Sequence, residues 1–545
     1  MDSSGKMFGR MGVRAYGRVG VGVFVAVAVL ASVAAGDVKL PAVIGDNMVL
    51  QRHMDLQIWG WADAGEEVAV ALCDRKAVVT ANDQGKWLAT LKALPEGGPF
   101  EMTVKGKNTI TLKNVLIGEV WVCSGQSNMH MSLRGSSAAE QAIAGANLPQ
   151  IRLFTVDLTP SVKPREDCTG AWQVCSPETA PGFSAAGYFF GRELYKDLKV
   201  PVGLIQNAWG GTPAEAYTSL EAIESVPMLK PIADAFRKKL EEHPDMREDY
   251  IKYFKPWNAA FGAFRKEQMA WKKEVEKAKA EGGKPPAAPK APKELALGSK
   301  NEPSVLFNGM VMPVVPYTIR GAIWYQGEGN AGRAYEYRTL FPTMIRCWRD
   351  AWGEGDFPFL FVQLPNFMKP KAEPSESAWA EIRESFVKTL SVPNTGMAIT
   401  IDIGEADDIH PKNKEDVGKR LALCALGTVY GKEIVYSGPM YDSMKVEGNK
   451  IIVKFNHVGS GLTAKGGEPL KQFAIAGEDR KFVWADAKIE GKDTVVVSSD
   501  QVAKPVAARY AWADNPEGCN LFNQEGLPAS PFRTDDWPGL TWPKE

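Results

Sequence analysis

At 545 residues the chain is too long for a single core, and a prior of ~150 residues per domain allows three or four units. Apolar residues at 45% and charged residues at 24% are in the ordinary range for a soluble globular protein. A formal net charge of -1 favours neither nucleic acid nor an acidic membrane surface as a partner, which leaves small, mostly neutral ligands as the default.

In chain order, Arg10, Arg14 and Arg18 precede the apolar run VGVGVFVAVAVLASVAA, which ends in small residues before Asp37. A positive flank, a short apolar stretch and a small-residue exit predict a secretory signal peptide over 1–36, cleaved near Ala35 or Gly36. A membrane span needs about 20 apolar residues, so stable insertion is not expected. The expected location is periplasmic or extracellular.

Residues 37–114 alternate and turn like a small β-sandwich, with strand candidates LQIWGWA, EVAVAL, KAVVTA, KWLATL and NTITLKN. From Val115 the pattern changes. Buried-strand candidates VLIGEVWVCSG, IRLFTV, VGLIQNAW, IRGAIWY, PFLFVQLP and GMAITIDI alternate with helical stretches such as AAGYFFGRELYKDL and EYRTLFPTMIRCWRDAW. That alternation predicts an α/β unit over 115–432, with a parallel sheet covered on both faces. Residues 222–300 interrupt it with charged helical sequence running into KPPAAPKAPKEL, expected to be poorly ordered and remote from chemistry. Strands return over 433–545 as a second β-module. The seven cysteines lack a C-x-x-C pair, which argues against a cysteine zinc site. Cys168 and Cys175 are close enough for one local bridge, but mostly buried free thiols are the simpler expectation.

Ligands of open parallel sheets bind beyond the carboxyl ends of the strands. Four unusual segments fall there: SGQSNM (124–129), WGGTPAE (209–215), WYQGEGN (324–330) and ADDIHP (406–411). Ser127 follows Gly125 after a strand, where a tight turn exposes a hydroxyl and frees a backbone N–H for an oxyanion. Met129 stands where a nucleophile elbow would have a second glycine, so the match is half of that motif. Of five histidines, His53 and His457 lie in β-modules, His243 lies in the charged insert and His130 sits on the helix launched by the serine. Elimination leaves His410 as the base. Asp407 or Asp408 would hold its ring, and spacing does not decide between them. A divalent metal on these carboxylates is a rival, disfavoured by the single histidine. Gly210 and Gly211 suit close backbone approach, and Gln326, Glu328 and Asn330 bring polar groups that are costly to bury without a partner.

Taken together, GQSNM, NAWGGTPAEAY, WYQGEGNA and DIHPKNKEDVGKRLAL resemble the sialate O-acetylesterase family within the SGNH-hydrolase superfamily. DNMVLQRHMDLQIWGWADAGEEV is similar to that family's β-module, and WAEIRESF to its Trp-x-x-hydrophobic-Arg-Glu segment, with Phe386 where glutamine is expected. The resemblance implies a flavodoxin-like three-layer hydrolase domain, Ser127 as nucleophile, His410 as base and acetylated sugars as substrates. It also offers Glu328 as an alternative partner of His410.

The mechanism expected is acyl transfer through Ser127. Its N–H and that of Gly211, aided by Gln326 or Asn330, would hold the oxyanion. Gln126, Asn128, His130, Trp209, Glu328 and Arg383 are the expected substrate contacts. Sialic acid would want a cation, for which Arg134 and Arg383 are the candidates. No cofactor is required. Two rival readings are a glycosidase using Glu328 and Asp408, and a sugar-binding protein using Trp59, Trp61, Trp484 and Trp512.

Overall fold

The computed structural model describes residues 37–467 and 469–543, so the expected leader over 1–36 lies outside the described residues. The architecture hangs on β1 (Thr109–Gly125), whose 17 residues are exposed and buried by turns at first and then buried throughout. Its first part pairs antiparallel with Gly97–Lys105 of the N-terminal β-module. Its last part enters a parallel sheet with β2 (Leu148–Thr155), β3 (Val202–Ala208), β4 (Gly321–Tyr325), β5 (Phe359–Gln363) and β6 (Thr395–Ile399), in the order β6-β5-β4-β1-β3-β2. The expected boundary at 114/115 therefore falls inside one strand, at a bulge where Asn114 takes φ +58°.

A strand buried on both faces reads as a continuous apolar run, and VWVC and AIWY are such runs. Alternation sends Trp121 and Cys123 to one face, where Trp121 meets Phe190 of α2 (Ala185–Leu198) at 5.1 Å between ring centroids. Trp324, in register with Ser124, points to the other face, toward Phe341 and Trp348 of α5 (Ala334–Trp352). Helix α2 pairs with α7 (Lys414–Thr428), and α5 pairs with α6 (Ala378–Thr389). These are the three layers of the expected flavodoxin-like hydrolase domain, with α1 (Ser127–His130) leading out of the central strand. Beyond it, antiparallel sheets such as Met440–Glu447/Lys450–Asn456 and Phe473–Ala476/Ala507–Tyr510 enclose a second apolar cluster that includes Val453, Ile475, Val497 and Tyr510.

The segment at 222–300 differs from its expectation. Helix α3 (Lys230–Glu242) and the 31-residue α4 (Tyr250–Ala280) bury Phe236, Leu240, Tyr250 and Phe254 against the rest of the fold. The Pro/Ala/Lys stretch then runs back along α4, where Trp271 Nε1 donates to Pro286 O (2.8 Å) and Trp257 Nε1 to Lys293 O (3.0 Å). All seven cysteines are free thiols, Cys168 and Cys175 among them.

Candidate active site

From β1 the chain goes to the outer β2 on one side, returns to fill β3, and then crosses to the other side of β1 for β4, β5 and β6. The end of β1 is therefore the switch point, where a crevice forms between neighbouring loops. Gly125 makes the turn there at φ +139°. A Cβ at this position would lie 2.2 Å from Tyr325 O on β4, so only glycine fits. Gln126 N–H donates to that same carbonyl (3.0 Å), and α1 begins at Ser127. As the first helical residue, Ser127 keeps an N–H with no intrahelical acceptor. Its hydroxyl makes no hydrogen bond to a described residue.

Asn128 ties this turn to the histidine loop. Its Nδ2 donates to Ile409 O (3.0 Å) and to Glu328 Oε1 (2.5 Å), while its Oδ1 accepts from Lys414 Nζ (2.7 Å). The neighbour of Ser127 is thus bonded to the neighbour of His410. Asp408 Oδ1 accepts from His410 N–H (2.9 Å) and lies 3.4 Å from His410 Nδ1. Asp407 is exposed and pairs with no described residue, so between the two aspartates the contact belongs to Asp408. Glu328 Oε2 is shut off from solvent without a hydrogen-bond partner. Burial pushes the Glu328 carboxyl above its usual range, against the pull of Asn128, Lys414 and His410.

On the opposite side of the serine, Gly210 packs so closely that a Cβ there would stand 3.2 Å from Ser127 Cβ. The N–H groups of Gly210 and Gly211 donate to no described residue, and Gly211 adopts φ +71°. Three backbone N–H groups without a described acceptor therefore lie in the serine turn and the glycine loop packed on it, the type of donor an oxyanion needs.

Two expected roles are corrected. Gln326 Nε2 donates to Asn330 Oδ1 (2.7 Å) and Thr212 O (3.3 Å), and Asn330 Nδ2 donates to Glu215 Oε2 (2.9 Å). Because Asn330 Oδ1 also accepts from Ala214 N–H (2.9 Å), the amide orientations are fixed. Both side chains are buried and brace the loops instead of facing the serine. Arg383 is wholly buried, donating to the carbonyls of Leu364, Pro365, Ala513 and Asp514, and cannot contact substrate. Of the other expected contacts, Gln126 Oε1 accepts from Gly329 N–H (3.1 Å), which makes it a brace as well. Arg134 is exposed and forms no ion pair with a described residue.

The insert is not remote from this site. Phe254 of α4 meets Trp209 edge-on at 5.9 Å, and Lys300, at the end of the insert, lies 5.4 Å from the Trp209 ring centroid. Lys300 Nζ donates to Gly210 O. His130 is depressed below the usual imidazole range by burial and by the Lys300 charge. The sequence reading missed Lys300 and Lys414. Lys414 was within reach, four residues beyond His410 in the same block; Lys300 carries no local signal.

Comparison with known proteins gives this fold and site the class of a carbohydrate esterase. The family described as carbohydrate esterase, sialic acid-specific acetylesterase matches residues 306–426. A carbohydrate acetylesterase from Xanthomonas citri superposes with a TM-score of 0.76 at 36% identity, covering 92% of this chain and 100% of that one. The sialate O-acetylesterase of Rattus norvegicus is 28% identical over 554 residues, covering 91% of this chain and 94% of its own. That of Homo sapiens is 27% identical over 550 residues, covering 92% and 94%. The chain belongs to the sialate O-acetylesterase family, and it is a carboxylic ester hydrolase.

Proposed function

We propose that this protein is an exported serine esterase that removes O-acetyl groups from sugars, with O-acetylated sialic acid as its substrate and Ser127 and His410 as nucleophile and base. The observation that carries this reading is the Asn128 clasp, which joins the serine turn to the histidine loop beside free glycine N–H groups. Ser127 Oγ bonds to the acetyl carbon while its proton passes to His410, whose ring Asp408 orients from the Nδ1 side. The N–H groups of Ser127 and Gly211 hold the oxyanion. Collapse breaks the bond to the sugar oxygen, which takes the proton from His410. Water then attacks the acetyl-enzyme, its proton goes to His410, and acetate leaves as Ser127 recovers its hydrogen. The sialate preference is supported by the activity for which the curated relatives are named. Export is supported by the N-terminal pattern, and among the described residues no helix is long and apolar enough to cross a membrane.

Acetate release from O-acetylated sialosides is the test. Ser127→Ala and His410→Ala should each lower kcat by about a thousandfold or more, and a phosphonate probe should label Ser127. Turnover near wild type in either variant sinks the serine assignment. Higher kcat/KM on acetylated xylo-oligosaccharides than on sialosides would move the substrate to plant glycans.

A further inference from the structure

Lys300 is a cation with no counter-ion among the described residues. It forms no ion pair with a described residue, and the charge that bears on it is a second cation, Arg265 of α4. Burial is the larger cause and the Arg265 charge the smaller, and together they pull its ammonium down to about 8. A solvated lysine would swing away from such a place. This one is held by Trp209 beneath it and by Gly210 O, which takes one of its donors. The ammonium has three donors, so two stay available. Gly210 is also the residue packed on Ser127 Cβ. The unpaired charge therefore stands one backbone loop away from the point of ester cleavage, where the substituents of a sugar seated on Ser127 have to lie.

We propose that Lys300 binds the carboxylate of an acidic acetylated sugar, so that the 222–300 insert is a specificity element delivering a cation to the rim of the ester site. The inference rests on the esterase reading of that site. A carboxylate on the ring would accept the free ammonium donors in a partly dry setting, where a charge-assisted bond is strong. A neutral acetylated sugar would leave them unused. Sialic acids and uronic acids both carry such a group, and the structure favours the charge they share.

The test uses matched pairs: an O-acetylated sialoside and its carboxyl methyl ester, and an O-acetylated galacturonide and its methyl ester. The full-length enzyme should prefer the free acid in at least one pair. Lys300→Gln should cut the ratio of kcat/KM for acid over ester by about tenfold, through KM, and Lys300→Arg should restore it in part. Equal loss on both members of each pair, or an acid preference untouched by Lys300→Gln, overturns the proposal. A preference confined to the galacturonide pair upholds the subsite and moves the acidic sugar away from sialic acid. If the wild-type enzyme releases acetate from none of the four but does so from acetylated xylo-oligosaccharides, the Lys300 proposal is overturned; if it releases acetate from neither set, the esterase reading fails before Lys300 is in question.

Discussion

Lys414 carries its ammonium into a place that opposes charge. Burial drags it down to about 7, although Glu328, Glu405 and Asp408 pull the other way. Its bonds to Asn128 Oδ1 and Pro411 O put that cost directly under the serine–histidine clasp. The sign of the stability effect follows. An unfolded lysine keeps its proton up to 10.5, whereas the folded one releases it near 7, so the folded state gains as pH climbs between those values. Below that window both forms are charged and the burial cost is present in full. The unfolding free energy of wild type minus that of Lys414→Met should therefore rise across the window in chemical denaturation. A flat difference would mean that the buried amine keeps its proton throughout. At this scale the sequence reads well where chemistry is rare. With five histidines, elimination reaches His410, and a serine after a glycine at a strand end is visible locally. Gln326 and Arg383 were misassigned because residue type shows that a polar group must be satisfied but not by what. Arg383 finds an acceptor in Ala513, 130 positions away.

The turn from β1 into α1 is an element whose requirement is steric. Gly125 combines a positive φ with a neighbouring carbonyl inside contact distance of any Cβ. Gly125→Ala should thus cost ~3 kcal/mol or more and displace Ser127, seen as a lowered melting temperature together with lost acetate release. Unchanged melting would show that β1 and β4 can separate at no cost. Such glycines are legible, since strand, Gly, x and Ser follow one another. The 222–300 insert was not. Its composition is that of a solvated spacer, and only the return of the chain along α4 brings Phe254 and Lys300 onto Trp209. Composition reports whether a segment can build a core of its own, not whether it borrows one.

For the whole molecule, the C-terminal module is fastened to the hydrolase layers by polar contacts. Arg533 pairs with Glu384, Gln363 Nε2 donates to Ser530 Oγ (2.9 Å), and Glu381 accepts from Leu540 N–H (2.5 Å) and Thr541 N–H (3.1 Å). Arg383 is the centre of this seam, bonding carbonyls that follow β5 to carbonyls at 513–514. Arg383→Leu would bury unsatisfied carbonyls on both sides, costing ~3 kcal/mol or more. Urea unfolding should show it, with KM for substrate unmoved in the fraction that stays folded. A raised KM in the folded fraction would return Arg383 to the binding site. The class of fold was legible from the alternation of strand and helix. The seam was not, because each half of it looks like ordinary surface polarity until the other half is present.

One backbone serves two sheets in this protein. Because the strand that leads to Ser127 is also the last strand of the N-terminal module, sliding the stretch beyond its Asn114 bulge by one position against Gly97 and Phe100 would turn over the side chains from Val115 to the elbow. Placement of the Ser127 hydroxyl is thus tied to the pairing of a module that supplies none of the residues grouped around it. The hairpins act as a ruler, and a lesion in them would misplace chemistry at the far end of the strand.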